Sequence, residues 1–492
     1  MKRIRRALAL VMAVCILGGT TVQTAEAAEK PVDMRPNTWM LTEAEREGKT
    51  IEEVVEIEKK NEEEATKKAY EMEVATNELK NWPQGPGTYG EGVIVMEAKS
   101  GAILYSKNID GKGYPASITK ILTALVALEN AKLDDKITVT ADSVAILGNG
   151  YAHIGLTPGE EISLKDALYA LMLASANEVA YAIGESVGEG YDWFLEEMNR
   201  RAKELGAVNS NFLNTNGMQE EEHYTTARDM ALITQELLEH HKEFQTISQT
   251  LEYKIAPTNL CKEERVFQQV HKVFYDENTY YYPKATAGKT GYTDEAMNTL
   301  VTCAADENLE LICVILKAHG THVYPDTLAL LDYGFDNFKK VDIAENETSK
   351  DIEEVEKGAY VVLPEGVSFD KLQSEITPDE KDKTKGTVTY TWEGNPVGKA
   401  EVTFSRSYLN KHDIKVTLHK EKKAEPESGW TLKKVILTAV IVLIVLLVLW
   451  MIFAAFVRKK RREERLRRKR RRQQMAKKRR DKQKKEREDR RR

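Results

Sequence analysis

Hydrophobic positions along this chain change their period several times, and each change marks an element. Two short β-rich runs, Gly92 to Met96 and Ala102 to Ser106, flank Lys99-Ser100-Gly101 and predict a hairpin. Helical spacing then dominates residues 116 to 129, 164 to 187, 190 to 205 and 226 to 240. Strand-like runs return at Lys289 to Tyr292, Asn298 to Cys303 and Glu310 to Leu316, with Asp306-Glu307-Asn308 as the turn between the last two. A helix from Tyr324 to Phe338 closes the unit. Strands at both ends with helices between them require a sheet assembled from distant segments. The predicted class is therefore α+β, an antiparallel sheet flanked by helices with a helical subdomain beside it. The cleft between sheet and subdomain is the natural place for a site. From 341 to 424 the pattern turns to short β-runs, Tyr360 to Leu363, Gly386 to Trp392, Ala400 to Phe404 and Ile414 to Leu418. They predict a small all-β module without clustered catalytic groups, suited to a spacer or docking platform.

The two ends differ from this middle. Residues 1–27 read as a secretory signal, with Lys2, Arg3, Arg5 and Arg6, an apolar run from Ala7 to Gly18, and a cleavage site at Ala25-Glu26-Ala27. Residues 28–82 form an acidic, partly helical spacer in which Glu56/Lys60, Glu63/Lys67 and Glu64/Lys68 stand at i,i+4. The segment Trp82-Pro83-Gln84-Gly85-Pro86-Gly87 breaks it, and a globular domain spans 83–340. After a flexible stalk at 425–434, Val435 to Val457 is almost wholly apolar, long enough as a helix to cross a hydrocarbon core of about 30 Å. The tail at 458–492 holds 23 Lys and Arg against 6 Asp and Glu, which keeps it on the cytoplasmic side and the catalytic part outside. The whole-chain charge of −6 thus conceals −23 on residues 1–457, so the outward portion is acidic. With no aromatic for stacking on bases, the tail is expected to meet an anionic lipid surface rather than nucleic acid.

Cys261, Cys303 and Cys313 remain after signal removal, too few and too odd in number for a disulfide framework. Cys303 and Cys313 lie on successive strand-like runs, so their pairing stays open, with buried free thiols the expectation. The nine histidines show no H-E-x-x-H or similar spacing. No metal and no cofactor are expected.

Candidate chemistry sits in three boxes, Ser117 with Lys120, Ser175 with Asn177, and Lys289-Thr290-Gly291. Each alone is weak, since S-x-x-K arises by chance on the order of once in a few hundred residues. Pro115 suits the start of a helix, which puts Ser117 at a helix N-terminus and Lys120 on the same face. A serine hydroxyl is a poor nucleophile until a base takes its proton, and a lysine does so only with a depressed pKa. The apolar run after Ser117 implies a buried Lys120, and Lys289 is the candidate second cation pushing it down. Ser175-Ala176-Asn177 interrupts two helical runs, where the hydroxyl can relay a proton and the amide can hold Lys120 or a substrate carbonyl. Gly288 and Gly291 are read as letting a substrate backbone approach the strand, with Lys289 and Thr290 receiving a terminal carboxylate.

At these residues the chain resembles the D-alanyl-D-alanine carboxypeptidases, the low-molecular-weight penicillin-binding proteins. The likeness extends through Pro115 to Lys120, Leu173 to Glu178, Gly288 to Thr293 and Leu330 to Phe335, and more loosely to Leu363-Pro364-Glu365-Gly366-Val367 in the β module. It implies a penicillin-binding/β-lactamase-like domain with Ser117 as the acylated nucleophile, Lys120 as its base, and Ser175 and Asn177 as the proton-transfer and positioning pair. Lys289, Thr290, Gly291 and Tyr292 would bind substrate, and the N–H groups of Ser117 and Tyr292 would form the oxyanion hole. Lys272 would stand in for a carboxylate-binding arginine, with less bidentate capacity. The implied partners are peptidoglycan stem peptides and β-lactams, with residues 435–457 in the bacterial membrane. Two alternatives remain, a β-lactamase-like hydrolase and a catalytically weak wall-binding scaffold.

Overall fold

The computed structural model describes residues 30–414, all within one compact unit. The signal at 1–27, the stalk, the apolar span 435–457 and the basic tail lie outside the described residues. Among the described residues no helix is long and apolar enough to cross a membrane.

Five strands form the central sheet: β1 (Gly90–Glu97), β2 (Ile103–Lys107), β3 (Ala285–Thr293), β4 (Met297–Ala305) and β5 (Glu310–Ala318). Their order is β2-β1-β5-β4-β3, antiparallel throughout, so the two outermost strands come from opposite ends of the domain. Alternation along each strand feeds two cores. Ile94, Met96, Val301, Cys303 and Val314 face the helical lobe, whereas Val93, Val95, Leu300, Cys313 and Ile315 face the other side. The register pairs Cys303 with Ile312 and Thr302 with Cys313. The two thiols therefore point to opposite faces of the sheet and are free, which closes the question of their pairing.

The helical lobe contains α1 (Lys120–Asn130), α2 (Leu164–Leu173), α3 (Asn177–Ser186), α4 (Tyr191–Glu204) and α5 (Ala227–His240). The chain break expected inside 164–187 falls where α2 ends and α3 begins. On the opposite face α6 (Val323–Asn337) covers the sheet. The α+β expectation is met in this region. Two hairpins absent from the periodicity also appear, Lys136–Thr138 with Glu161–Ser163 and Glu252–Ile255 with Arg265–Gln268.

The segment expected to be a solvated spacer is instead docked. Its long helix, Ile51–Glu71, starts on a Thr50/Glu53 capping box, which satisfies early N–H groups reciprocally. None of the three expected Glu/Lys pairs forms, and Lys67 pairs with Glu71 at 3.7 Å instead. Two buried lysines on the sheet hold the segment by its main-chain carbonyls. Lys107 Nζ donates to Ala69 O at 2.5 Å, near the helix C-terminus, and to Thr88 O at 2.7 Å. Lys317 Nζ donates to Met34 O at 2.6 Å and Pro36 O at 2.7 Å. Cations near carbonyl-rich ends are electrostatically favoured. Met34, only 1 % exposed, fills a slot that exists because Gly92 has no side chain; a Cβ there would lie 2.7 Å from Met34 Cε.

The β module pairs Phe338–Asp342 with Tyr360–Pro364 and builds a four-stranded antiparallel sheet from Ile352–Val355, Asn395–Phe404, Lys385–Trp392 and Gln373–Pro378. Of the expected run from Ile414 to Leu418 only Ile414 is described, and it lies in no strand. Tyr360 donates its hydroxyl to buried Glu97 Oε1 at 2.8 Å, and Asn395 Nδ2 donates to Ile103 O at 2.8 Å. The module is thereby fastened to the β1–β2 hairpin.

Candidate active site

Ser117 lies in a 3-10 turn, Ala116–Thr119, that runs directly into α1. In 3-10 geometry residues i and i+3 eclipse, which stacks Lys120 over Ser117 more closely than an α-helix would. Lys120 Nζ lies 2.9 Å from Ser117 Oγ. Ala116 is held at φ 49°, a left-handed conformation uncommon for a residue with a side chain. Two glycines make room for this turn. A Cβ on Gly217 (φ 83°) would sit 1.8 Å from Ala116 O, and one on Gly291 would sit 2.3 Å from Thr299 Oγ1 and 2.9 Å from Ser117 N. Gly291 thus lets β3 close on the nucleophile's own turn. Gly288 backs onto the His271 ring, whose Nε2 would lie 2.7 Å from a Cβ at that position. Gly288 and Gly291 are thus both required by internal packing.

Lys120 is wholly buried, and its other two partners are acceptors, Asn177 Oδ1 at 2.8 Å and Asn216 O at 2.6 Å. Burial drives its pKa well below the usual lysine value; the charge of Lys289 adds to the fall and Glu178 opposes it. A neutral amine has two N–H groups and one lone pair. Asn177 and Asn216 can take the two hydrogens, leaving the lone pair for the Ser117 hydroxyl.

Ser175 bends the chain between α2 and α3 with φ 55°, again left-handed, and is 8 % exposed. Its hydroxyl forms no hydrogen bond among the described residues. Asn177 is pinned at both its N–H (2.9 Å) and its Nδ2 (3.1 Å) by Ala152 O, which orients Oδ1 toward Lys120. Glu178 Oε1 accepts from Ile154 N at 2.8 Å, so the 152–154 stretch is tied to the same helix start.

Lys289 and Thr290 stand on β3, the edge strand. Lys289 is 1 % exposed, and burial pushes it down to about 7. It donates only to Thr290 O, at 2.9 Å, leaving donors free for an anion. Thr290 is half-buried, and Tyr292 is 62 % exposed with its hydroxyl 3.1 Å from Asp294 Oδ1. Lys272 forms no hydrogen bond through its side chain among the described residues. It is exposed, and its Nζ lies over the rings of Tyr324 (5.4 Å) and Tyr280 (5.6 Å), a cation–π arrangement. Its neighbour His271 faces β3 and β4 instead, with Nε2 3.1 Å from Thr302 Oγ1. Burial pushes this imidazole down to about 3, so it stays neutral beside Lys289.

Three contributors carried no recognised signal. Asn216 acts through its carbonyl, which every residue possesses. His223, pushed down to about 3 by burial and then by Lys120, accepts from Leu213 N at Nδ1 (3.0 Å) and reaches Thr119 Oγ1 from Nε2 (3.0 Å). It ties the loop carrying Asn216 to the Ser117 turn. Thr299 anchors the same turn by donating to Pro115 O at 2.8 Å. Among the described residues no three His, Cys, Asp or Glu side chains are placed to hold a metal ion.

Residues 81–320, which contain the whole constellation, match the family described as D-alanyl-D-alanine carboxypeptidase. That segment, 240 of the 492 residues, is the part of the chain that is similar to the family. Among relatives of this carboxypeptidase family, the chain is 32 % identical over 256 residues to the D-alanyl-D-alanine carboxypeptidase DacF of Bacillus subtilis (strain 168), covering 50 % of this chain and spanning 62 % of that relative. It is 28 % identical over 343 residues to DacC of Escherichia coli (strain K12), covering 64 % of this chain and 83 % of the relative. The crystal structure of the Streptomyces K15 DD-transpeptidase superposes with a TM-score of 0.48 at 27 % identity, covering 52 % of this chain and 100 % of that one. The family match begins after the docked N-terminal segment.

Proposed function

We propose that this chain is a membrane-anchored, extracytoplasmic serine carboxypeptidase that removes the terminal D-alanine from peptidoglycan stem peptides, and that β-lactams acylate the same serine. The observation that carries this reading is the 2.9 Å approach of Lys120 Nζ to Ser117 Oγ in a fully buried setting. The similarity of residues 81–320 to the carboxypeptidase family supports the substrate class. The membrane placement rests on the apolar span and basic tail of the sequence.

In the proposed reaction, neutral Lys120 takes the Ser117 proton as Oγ attacks the carbonyl carbon between the two D-alanines. The N–H groups of Ser117 and Tyr292 receive the developing oxyanion, and Lys289 with Thr290 holds the terminal carboxylate. Collapse breaks the C–N bond. The proton returns from Lys120 through Ser175 to the departing amine, and D-alanine leaves. Water then adds to the ester, giving its proton to Lys120, and the shortened peptide departs as Ser117 is reprotonated.

Incubating the purified full-length chain with a D-Ala-D-Ala-terminated pentapeptide tests this directly. Release of D-alanine, lost in Ser117→Ala, is the expected result. Absence of both D-alanine release and penicillin labelling in the folded chain would favour a wall-binding scaffold, and rapid turnover of the penicillin adduct would favour a lactamase.

A further inference from the structure

The N-terminal segment outside the family match touches three parts of the molecule that converge on the nucleophile. Before Ser117, Met34 N donates to Lys112 O at 2.7 Å. At the loop that carries Asn216, the Arg35 guanidinium reaches Glu221 O and Glu222 Oε1, both at 3.4 Å, and lies 5.2 Å over the Tyr224 ring. Immediately beyond β3, Asn37 Nδ2 donates to Asp294 O at 3.1 Å. Asp294 in turn accepts from the exposed Tyr292 hydroxyl. Burial, the Asp294 bond, and the nearby charges of Asp294, Glu62 and Glu295 all push that hydroxyl up, which brings Glu62 of the long N-terminal helix to the same corner.

We propose that residues 31–40 are a strap that positions the active site, with Arg35 and Asn37 as positioning residues acting through the 213–224 loop and the exit of the β3 strand. The strap rests on the acyl-transfer reading of Ser117 and adds a part that the family match lacks. Its own anchorage is independent of those two contacts. Lys317 holds Met34 and Pro36, the Met34 side chain fills the slot at Gly92, and Asn108 clasps Val32 through paired bonds of 2.9 and 3.0 Å. Releasing Arg35 or Asn37 therefore leaves the strap attached and loosens only what it braces. The loop it braces supplies Asn216 O to Lys120, and the strand exit it braces supplies the Tyr292 N–H proposed for the oxyanion. Displacements of about 1 Å at such groups cost on the order of a hundredfold in rate.

The test uses the full-length chain with a fluorescent penicillin as the probe, reading the acylation rate constant beside the thermal midpoint. Asn37→Ala and Arg35→Lys are compared with Asn108→Gly, which opens the Val32 clasp away from the site and keeps the left-handed backbone there (φ 43°). The expected result is acylation slowed about tenfold in Asn37→Ala at an unchanged midpoint, and unslowed in Asn108→Gly even where its midpoint falls. Arg35→Lys keeps the charge but loses the planar fork, and it supplies the same comparison should Asn37→Ala fold poorly. Wild-type rates in Asn37→Ala and Arg35→Lys overturn the proposal, as does a rate that merely follows the midpoint across all variants. A folded wild-type chain that takes no label overturns the acyl-transfer reading itself, and the strap's role with it.

Discussion

The cleft and the N-terminal clasp each bury two lysines, and they use them in opposite ways. In the clasp, Lys107 and Lys317 donate chiefly to main-chain carbonyls, with Thr88 Oγ1 3.1 Å from Lys107 Nζ and Glu91 Oε1 3.8 Å from Lys317 Nζ. Burial lowers both, Lys107 to about 8, and nearby carboxylates oppose the fall, Asp326 and Glu91 for Lys107 and Glu91 and Asp33 for Lys317. In the cleft, Lys120 shares a hydroxyl that can be deprotonated, and Lys289 has one neutral hydrogen-bond partner among the described residues. Burial alone therefore does not make a lysine reactive. What sets Lys120 apart is the pairing of a hydroxyl at a helix start with a second buried lysine, Lys289, whose charge adds to the fall.

Replacing Lys120 by Met should separate the two regions most sharply. Penicillin acylation should fall by about 10⁴-fold, the upper range for loss of a general base, while circular dichroism shows a retained fold. Gly291→Ala comes next, because its Cβ collides with Thr299 and the Ser117 amide; acylation should drop on the order of a hundredfold. Lys107→Met should do the reverse. Orphaning the buried Ala69 and Thr88 carbonyls should cost about 2 kcal/mol in urea unfolding, with acylation of the folded fraction little changed.

The smallest effect is in pH dependence. Lys289 is protonated below about 7 and loses its charge as pH rises, so carboxylate capture by the free enzyme should weaken on the alkaline side. Lys120 must be neutral, so activity should also fall in acid, giving a bell. Lys289→Arg should extend the alkaline limb, since a guanidinium stays charged. For stability the sign is opposite. Between about pH 8 and 10.5 the unfolded chain holds a proton that folded Lys107 has lost, so stability should rise with pH across that window, and Lys107→Met should flatten the rise in denaturant titrations.

The three boxes and the break at Ser175 are legible because side-chain chemistry and helical period carry them. The closeness of Ser117 to Lys120 follows from their spacing, though the turn is 3-10 where an α-helix is expected. Lys272 and His271 show what residue types leave open. His271 lies on extended backbone and faces β3 and β4, while Lys272 opens a 3-10 turn, Lys272–Phe274, and turns toward the Tyr280 and Tyr324 rings, a switch that residue types alone do not set. The docking of residues 30–78 is hidden because its Glu- and Lys-rich helix reads as solvated, while the groups that hold it sit far away on β2 and β5 and grip carbonyls. A single methionine seated opposite a distant glycine gives no periodic signal at all.

Strand β2 is sheltered by Asn395 and by Thr76, whose hydroxyl accepts from Ser106 N, whereas no further strand pairs with β3 at the far margin among the described residues, where only side chains such as Gln249 and Lys289 reach its carbonyls. An unpaired margin is an invitation to any extended polypeptide, a second copy of the chain included. In the proposed function, blunting that margin would also turn away the peptide, so resistance to self-association has to come from elsewhere, and the net charge of −23 on residues 1–457 is suited to supply it by mutual repulsion.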